Sequence, residues 1–297
     1  MTTCRKKTWS SKRPWRSNLF ADAPAVLSSQ GGAALAQMNF PVHFGTLQAP
    51  VRWQTVDLIS DLHLQAGEPA TFEAWRSHMA TTTADAVLLL GDVFEVWVGD
   101  DAVAHDPFLQ ACAQVLRETA RRMTVAFMPG NRDFLVGPDF LRSCQVQPLQ
   151  DPTLLLWGAQ RVLLSHGDAL CLDDEAYQRF RTLSRTPHWR HEFLARPLDE
   201  RLAMAQAMRA QSEAHNQSVT YFADADAAMT RAWLHASGAQ WLVHGHTHRP
   251  ADHAVPNWPG AVRLVLSDWH VSPTLARAEV LRLHADGRRE RLQVQTA

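Results

Sequence analysis

Short runs of consecutive apolar residues recur along the chain, and most are closed by Asp, Gly or His. Val56-Asp57-Leu58-Ile59-Ser60 runs into Asp61, and Ala86-Val87-Leu88-Leu89-Leu90 into Gly91-Asp92. Val125-Ala126-Phe127-Met128 leads to Gly130-Asn131-Arg132-Asp133. Arg161-Val162-Leu163-Leu164-Ser165 leads to His166-Gly167-Asp168, and Trp241-Leu242-Val243 to His244-Gly245-His246-Thr247-His248. Apolar runs of this length without strict alternation predict strands buried on both faces. Between them the period changes. Residues 70–81 read as a helix, as do residues 107–122, which carry Pro107 at the start, a stripe of Phe108, Leu109, Ala111, Cys112, Val115, Leu116 and Ala120, and Arg121-Arg122 at the end. Alternating strands and helices predict an α/β fold with a mainly parallel core.

From residue 172 to 233 the strand signal disappears. Asp173-Asp174-Glu175 suits a helix start, and the Ala- and Met-rich stretch from Pro197 places Leu198, Leu202, Ala205 and Met208 on one face. We read 172–233 as a helical insertion, a lid, between core segments 51–171 and 234–297. Strands are expected again over 262–267, 277–283 and 290–295, with Asp286-Gly287 as a hairpin turn.

Composition narrows the class. Of 297 residues, 46% are hydrophobic and 20% charged, as in a globular chain, and the net charge of -1 argues against a dedicated nucleic-acid binder. The four cysteines, Cys4, Cys112, Cys144 and Cys171, show no paired spacing, which fits a reducing cytosol. No apolar run approaches the ~18 to 20 residues that span a bilayer. Residues 1–50 open with six basic residues and no acid before residue 18, then a small-residue stretch. We expect a poorly ordered extension there, with Met38 as an alternative start.

The polar strand ends supply the candidate chemistry. Ligands in open α/β sheets bind outside the carboxyl ends of strands, and Asp, Asn and His suit a divalent metal. In extended chain, positions i and i+2 point the same way, so Asp61 with His63, and His246 with His248, can each reach one ion. A carboxylate at Asp92 has two oxygens and can bridge two ions, while Asn131 offers a neutral oxygen. His166 completes the set. His244 is read as structural or as a hydrogen-bond partner, and His78, His105 and His188 as surface or packing residues.

The order D-x-H, G-D, G-N-x-D, H-G-D, G-H-x-H resembles the calcineurin-like metallophosphoesterase superfamily over roughly residues 53–270. The resemblance implies a β-sandwich flanked by helices, with two metal ions bridged by an Asp and by a hydroxide nucleophile. It would assign Asp61, His63, Asp92 and His248 to one ion, and Asp92, Asn131, His166 and His246 to the other. Paired ions suit hydrolysis at phosphorus.

Many members of that superfamily carry Gly-Asn-His at the third motif, where the His is held to protonate a leaving alkoxide. Here the position is Arg132, whose pKa above about 12 rules out general-acid work but suits a clamp on phosphate oxygens. A leaving group that needs no proton is then required. A phosphate, with a second pKa of about 6, qualifies. This selects pyrophosphate hydrolysis over monoester hydrolysis, with Asp92, Asn131 and Arg132 as catalytic residues.

The strings Gly91-Asp92-Val93-Phe94-Glu95-Val96-Trp97-Val98-Gly99-Asp100-Asp101 and Gly130-Asn131-Arg132-Asp133, with Tyr177 after the fourth motif, resemble more narrowly the family of UDP-2,3-diacylglucosamine diphosphatases of lipid A synthesis. That likeness implies cleavage of the UDP-linked diacylated glucosamine lipid to UMP and 2,3-diacylglucosamine 1-phosphate, with two divalent ions, Mn2+ favoured. It implies substrate contacts from Asn131, Arg132, Asp174, Arg201, Arg209, Ser212, Asn216 and His246. Val219 stands where a basic residue is expected. The substrate implies a cytoplasmic protein associated peripherally with the inner membrane. Arg181, Arg185, Arg190, Arg196 and Arg201 near Trp189, Phe193 and Leu194 suit an anionic lipid surface. The alternative is a soluble nucleotide or dinucleotide phosphohydrolase of the same superfamily.

Overall fold

The computed structural model describes residues 43–218, 224–272 and 274–295. Two six-stranded sheets form its centre. The first runs β14 (Arg289–Gln293), β13 (Glu279–His284), β2 (Thr55–Ile59), β3 (Ala86–Leu90), β4 (Thr124–Met128), β5 (Gln147–Pro148) from edge to edge. The second runs β1 (Gly45–Gln48), β6 (Thr153–Trp157), β7 (Gln160–Leu164), β8 (Trp241–His244), β10 (Val262–Val265), β9 (Ala251–Ala254). From β2 to β5 the first sheet is parallel, and β13 and β14 extend it antiparallel. The second sheet is mixed, with β7, β8 and β10 parallel. A short pair, β11 (His270–Ser272) with β12 (Leu275–Arg277), lies apart.

Side-chain alternation explains why the central strands are apolar on both faces. Val56 and Leu58, Leu88 and Leu90, Ala126 and Met128 point into one cluster with Leu155, Val162, Leu164, Val243 and Leu264 of the second sheet, closing a sandwich. The intervening Ile59, Val87, Leu89, Val125 and Phe127 point the other way. They pack under α1 (Pro69–Thr81), α2 (Pro107–Ala120) and α3 (Pro138–Ser143) through Trp75, Met79, Leu109, Cys112, Leu116, Phe140 and Leu141. Each of these helices starts on Pro at its first turn, where the missing N–H costs nothing.

Asp57 interrupts the apolar face of β2. It is fully buried, and Arg282 directly opposite on β13 donates to it from Nε (2.7 Å) and Nη2 (2.9 Å), Thr82 Oγ1 from 2.6 Å, with His78 Nε2 at 3.1 Å. Burial alone would raise its pKa, but these hydrogen bonds hold it down at about 2. His78 is therefore a packed partner of a buried carboxylate. His105 and His188 are exposed.

Between β7 and β8 lie α4 (Glu175–Ser184), α5 (Pro187–Leu194), α6 (Leu198–Ser218) and α7 (Ala227–Ser237). Asp174, Thr186 and Asp226 cap α4, α5 and α7 through their side chains. α7 buries Met229, Trp233 and Leu234 and packs on β7 and β8, so residues 227–233 cover the second sheet although the sequence pattern groups them with the insertion. The expected extension is corrected at its end: β1 falls inside residues 1–50 and pairs parallel with β6. Only Leu47 of its four residues is buried, so the strand left no hydrophobic pattern to read.

Candidate metal centre

Among the described residues, seven that are not glycine have positive φ, and five of them are Asp61 (52°), His63 (47°), Asp92 (53°), His246 (64°) and His248 (51°). Such conformations cost on the order of 1–3 kcal/mol each and persist only where the surroundings impose them. This corrects the reason given for the D-x-H and H-x-H spacings. The paired ligands do not project from extended chain. Each pair sits on a left-handed turn beyond the strand end, and the turn directs both side chains to one point.

Neighbouring loops impose those turns. Asp61 N donates to Gly91 O (3.1 Å), His63 N to Asp92 O (3.0 Å) and Leu64 N to Val93 O (2.9 Å), so the loop after β2 is zipped to the loop after β3. His246 N donates to both oxygens of Asp61 (3.1 and 2.9 Å), and Gly245 N to His166 O (2.9 Å). The loops meet so closely that a Cβ at Gly130 would strike Asp92, and one at Gly245 would strike Asp61 and Ser60.

Two groups result. Asp61, His63 and His248 form one, and Asp92, His166 and His246 the other, each with ligand atoms within 4.8 Å of one another. In the first, His63 Nε2 and His248 Nε2 face each other at 3.4 Å, and His248 Nε2 is 3.3 Å from Asp61 Oδ1. In the second, Asn131 Oδ1 lies 2.8 Å from both His166 Nε2 and His246 Nδ1. Asp92 stands between the groups: Oδ2 is 4.0 Å from His63 Nε2 and Oδ1 3.6 Å from His166 Nε2. Asp61, Asp92 and His166 are buried, whereas the side chains of His63 and His248 are 18% and 42% exposed, so the centre opens on the side of the first group.

The donor set fits cations. His166 Nδ1 lies 3.0 Å from Leu90 O and donates to it, which turns Nε2 toward Asn131 Oδ1 and the other ligand atoms of its group. The titration behaviour says the same. Burial would lower the His63 and His166 pKa values, but Glu95, Asp92 and Asp61 around the first, and Asp92, Asp61, Asp168 and Asp151 around the second, raise both to about 9. Against the same burial penalty, the surrounding histidines hold Asp61 far below the usual carboxylate range. Burial and the nearby His166 push His246 down to about 4.

Carboxylates that the sequence reading passed over hold the centre together. Asp133 is fully buried and accepts from the backbone N–H groups of Gly130 (2.7 Å), Val93 (2.8 Å), Asp92 (3.2 Å) and Phe94 (3.3 Å), tying two ligand loops. Burial and the charge of Asp92 lift its pKa to about 6. Asp168 accepts from Tyr177 Oη and from Arg181 Nε (2.9 Å), bringing α4 onto the fourth loop, and Tyr177 stacks on His246 at 6.1 Å between centroids. Asp151 accepts from Ser165 Oγ (2.6 Å) and His166 N (3.3 Å). Glu95 Oε2 sits 2.9 Å from His63 Nδ1. Burial and backbone bonding betray these residues in space, but only their neighbours in the motifs betray them in sequence.

The remaining expected contacts divide. Arg132 N donates to Asp92 Oδ1 (2.8 Å), and its guanidinium, 26% exposed, lies 3.5 Å from Glu95. Arg209 of α6 lies 3.3 Å from the same carboxylate. Asp174 caps α4 by accepting from Tyr177 N (3.0 Å). Arg201 is only 3% exposed: it grips Asp101 with both terminal nitrogens, donates to Val98 O, and from Nε to Arg196 O (3.0 Å). These bonds staple α6 to the segment that follows Trp97. The side chains of Ser212 and Asn216, on α6, and Val219 lie outside the described residues. His244 is buried with Nδ1 2.8 Å from Gly245 O and Nε2 3.3 Å from Arg263, away from both groups.

A two-sheet sandwich with helices on its flanks and two adjoining Asp/His groups at its strand ends defines a metal-dependent phosphoesterase, and the chain belongs to the calcineurin-like phosphoesterase family, which it matches over residues 55–250. Its curated relatives are more particular. It is 45% identical over 224 residues to the UDP-2,3-diacylglucosamine hydrolase of Chromobacterium violaceum, covering 72% of this chain and 90% of that one. It is 43% identical over 251 residues to that of Ralstonia nicotianae (80% and 92% covered), and 43% over 235 residues to that of Bordetella parapertussis (76% and 89%).

Proposed function

We propose that this chain hydrolyses the pyrophosphate bond of UDP-2,3-diacylglucosamine to UMP and 2,3-diacylglucosamine 1-phosphate, a step of lipid A biosynthesis. The observation that carries the reading is the pairing of two complete ligand groups with Arg132, rather than a histidine, beside Asn131. Asp61, His63, Asp92 and His248 would hold one divalent ion, and Asp92, Asn131, His166 and His246 the other. When bound, such ions activate a shared water and clamp the attacking and leaving oxygens. We infer manganese from the family resemblance, and the nitrogen and oxygen donors, with no thiolate among them, suit a divalent ion of that kind.

The side chains supply the rest. Asp92, fixed by its own N–H to Asp133 and by Arg132 N–H to Oδ1, can present one oxygen to each group. Arg132, at the open side, is placed to bind phosphate oxygens and to balance the charge of the departing sugar phosphate. That leaving group needs no proton, so no general acid is required of the site. Water attacks the phosphorus on the uridine side, and the bond from that phosphorus to the bridging oxygen breaks.

The helices between β7 and β8 suit a lipid substrate. Trp189, Leu198, Met204, Ala205 and Met208 pack against the apolar cluster that holds Phe134 and Leu135, just beyond Arg132. Leu183, Leu194 and Leu202 are 51%, 38% and 41% exposed among arginines. No described helix is long and apolar enough to cross a membrane. We infer peripheral attachment at the cytoplasmic face of the inner membrane, through the helical lid.

The test is UMP release by the purified protein with manganese. The reading expects UMP from the diacylated UDP-sugar and little phosphate from simple monoesters. Monoester hydrolysis without UMP release would overturn it, and equal rates on soluble UDP-sugars or dinucleotides would favour a soluble nucleotide phosphohydrolase.

A further inference from the structure

Glu95 belongs to neither metal group, yet its buried carboxyl faces charged side chains from three separate segments. Oε2 is 2.9 Å from His63 Nδ1 on the loop after β2. Oε1 is 3.5 Å from Arg132 Nη1 on the loop after β4 and 3.3 Å from Arg209 Nη1 on α6. The carboxylate is 8% exposed as a residue, whereas the two guanidinium side chains are 26% and 37% exposed. The anchor is thus fixed in the fold, and the two cations it holds can reach outward. Two guanidiniums gathered on one carboxylate oxygen repel each other less than they would without it. A diphosphate presents oxygens that guanidiniums bind bidentately.

We propose that Glu95 is a positioning residue: it orients His63 toward its metal group from behind and, with its second oxygen, holds Arg132 and Arg209 together at the mouth of the site, aimed at the substrate diphosphate. The guanidinium half of this rests on the function proposed above. The His63 half does not. Sequence position hides the role, because Glu95 sits in an apolar stretch between Phe94 and Val96, three residues beyond Asp92.

Glu95→Gln and Glu95→Ala separate the two halves. Gln keeps an oxygen that can accept from His63 Nδ1–H but loses the charge that gathers the guanidiniums. It should raise KM for the UDP-lipid on the order of 10-fold while kcat changes much less, the signature of lost binding rather than lost chemistry. Manganese affinity measured by calorimetry should stay near wild type in Gln and fall on the order of 10- to 100-fold in Ala, as for other residues that orient a metal-bound imidazole. Arg209→Ala should raise KM less in the Gln background than in wild type, since the two residues act as one unit. Unchanged KM in Glu95→Gln, or an Arg209→Ala effect equal in both backgrounds, would overturn the guanidinium half. Equal manganese affinity in Ala and wild type would overturn the His63 half. If wild type releases no UMP, the substrate reading fails on its own, and the manganese titrations still decide the role of Glu95 toward His63.

Discussion

The loops at the strand ends and the helices between β7 and β8 carry the same site by opposite means. Each ligand loop is fixed to another ligand loop by hydrogen bonds to its backbone, and Asp61, Asp92, Asp133 and His166 are buried, with His63 and His248 at the open side. The helices α4 to α6 bury little. Ser184 is the buried residue of α4 and Phe193 of α5, and over its described side chains α6 buries Arg201. They are held by charged and aromatic bonds: Arg181 on Asp168, Arg185 on Gly130 O (2.8 Å) and over the Phe134 ring, Arg201 on Asp101. On the proposed reading the loops carry the chemistry, and the helices add contacts to the substrate. Substitutions of the metal-group residues should act on turnover and those in the helices on binding.

The largest effect should come from Asp92→Ala, which removes the oxygens shared by both groups. It should abolish UMP release while leaving thermal unfolding nearly unchanged, and retained turnover would break the distinction from the loop side. Asp168→Asn comes next. It strips the anion that docks Arg181 and Tyr177 onto the His166 loop, and activity should fall on the order of 10- to 100-fold. A purely helical role would raise KM alone. In the staple, Asp101→Ala should destabilise more than Arg201→Met, by about 1–3 kcal/mol in chemical unfolding. It strands a buried guanidinium, whereas the reverse change leaves a carboxylate 58% exposed. Equal costs would show that α6 is held by packing instead.

The smallest effect lies far from the site. Asp57 has its pKa depressed to about 2 against an ordinary 3.8. A depressed carboxylate stabilises fully above the ordinary value, and the contribution is lost as pH falls toward 2, about 2 kcal/mol in all. Asp57→Asn should flatten the loss of stability between pH 4 and pH 2. An unchanged acid limb would remove the claim.

How far the chain could be read follows the same division. β3 is Ala86–Leu90 as its five apolar residues suggest, and α2 begins on Pro107 as expected. Of the edge strands, β14 was expected over 290–295, whereas half-exposed β1, β5 and β9 went unread because they carry no continuous apolar run. The metal motifs were legible as residue types at strand ends, but the left-handed backbone that makes them converge was not, because neighbouring loops impose it. Glu95, Asp133 and Asp168 went unread because their partners lie on other segments. The staple made by Arg201 went unread because its position on a helix does not reveal that Asp101 binds it.

The most direct test of the account is a count of manganese per chain in the full protein by native mass spectrometry. Wild type should bind two, His248→Ala should lose the ion of the first group and His166→Ala that of the second, each retaining one, and Asp92→Ala should weaken both. A single ion in wild type, or one ion lost equally from either group, would contradict a centre built from two half-sites joined by Asp92.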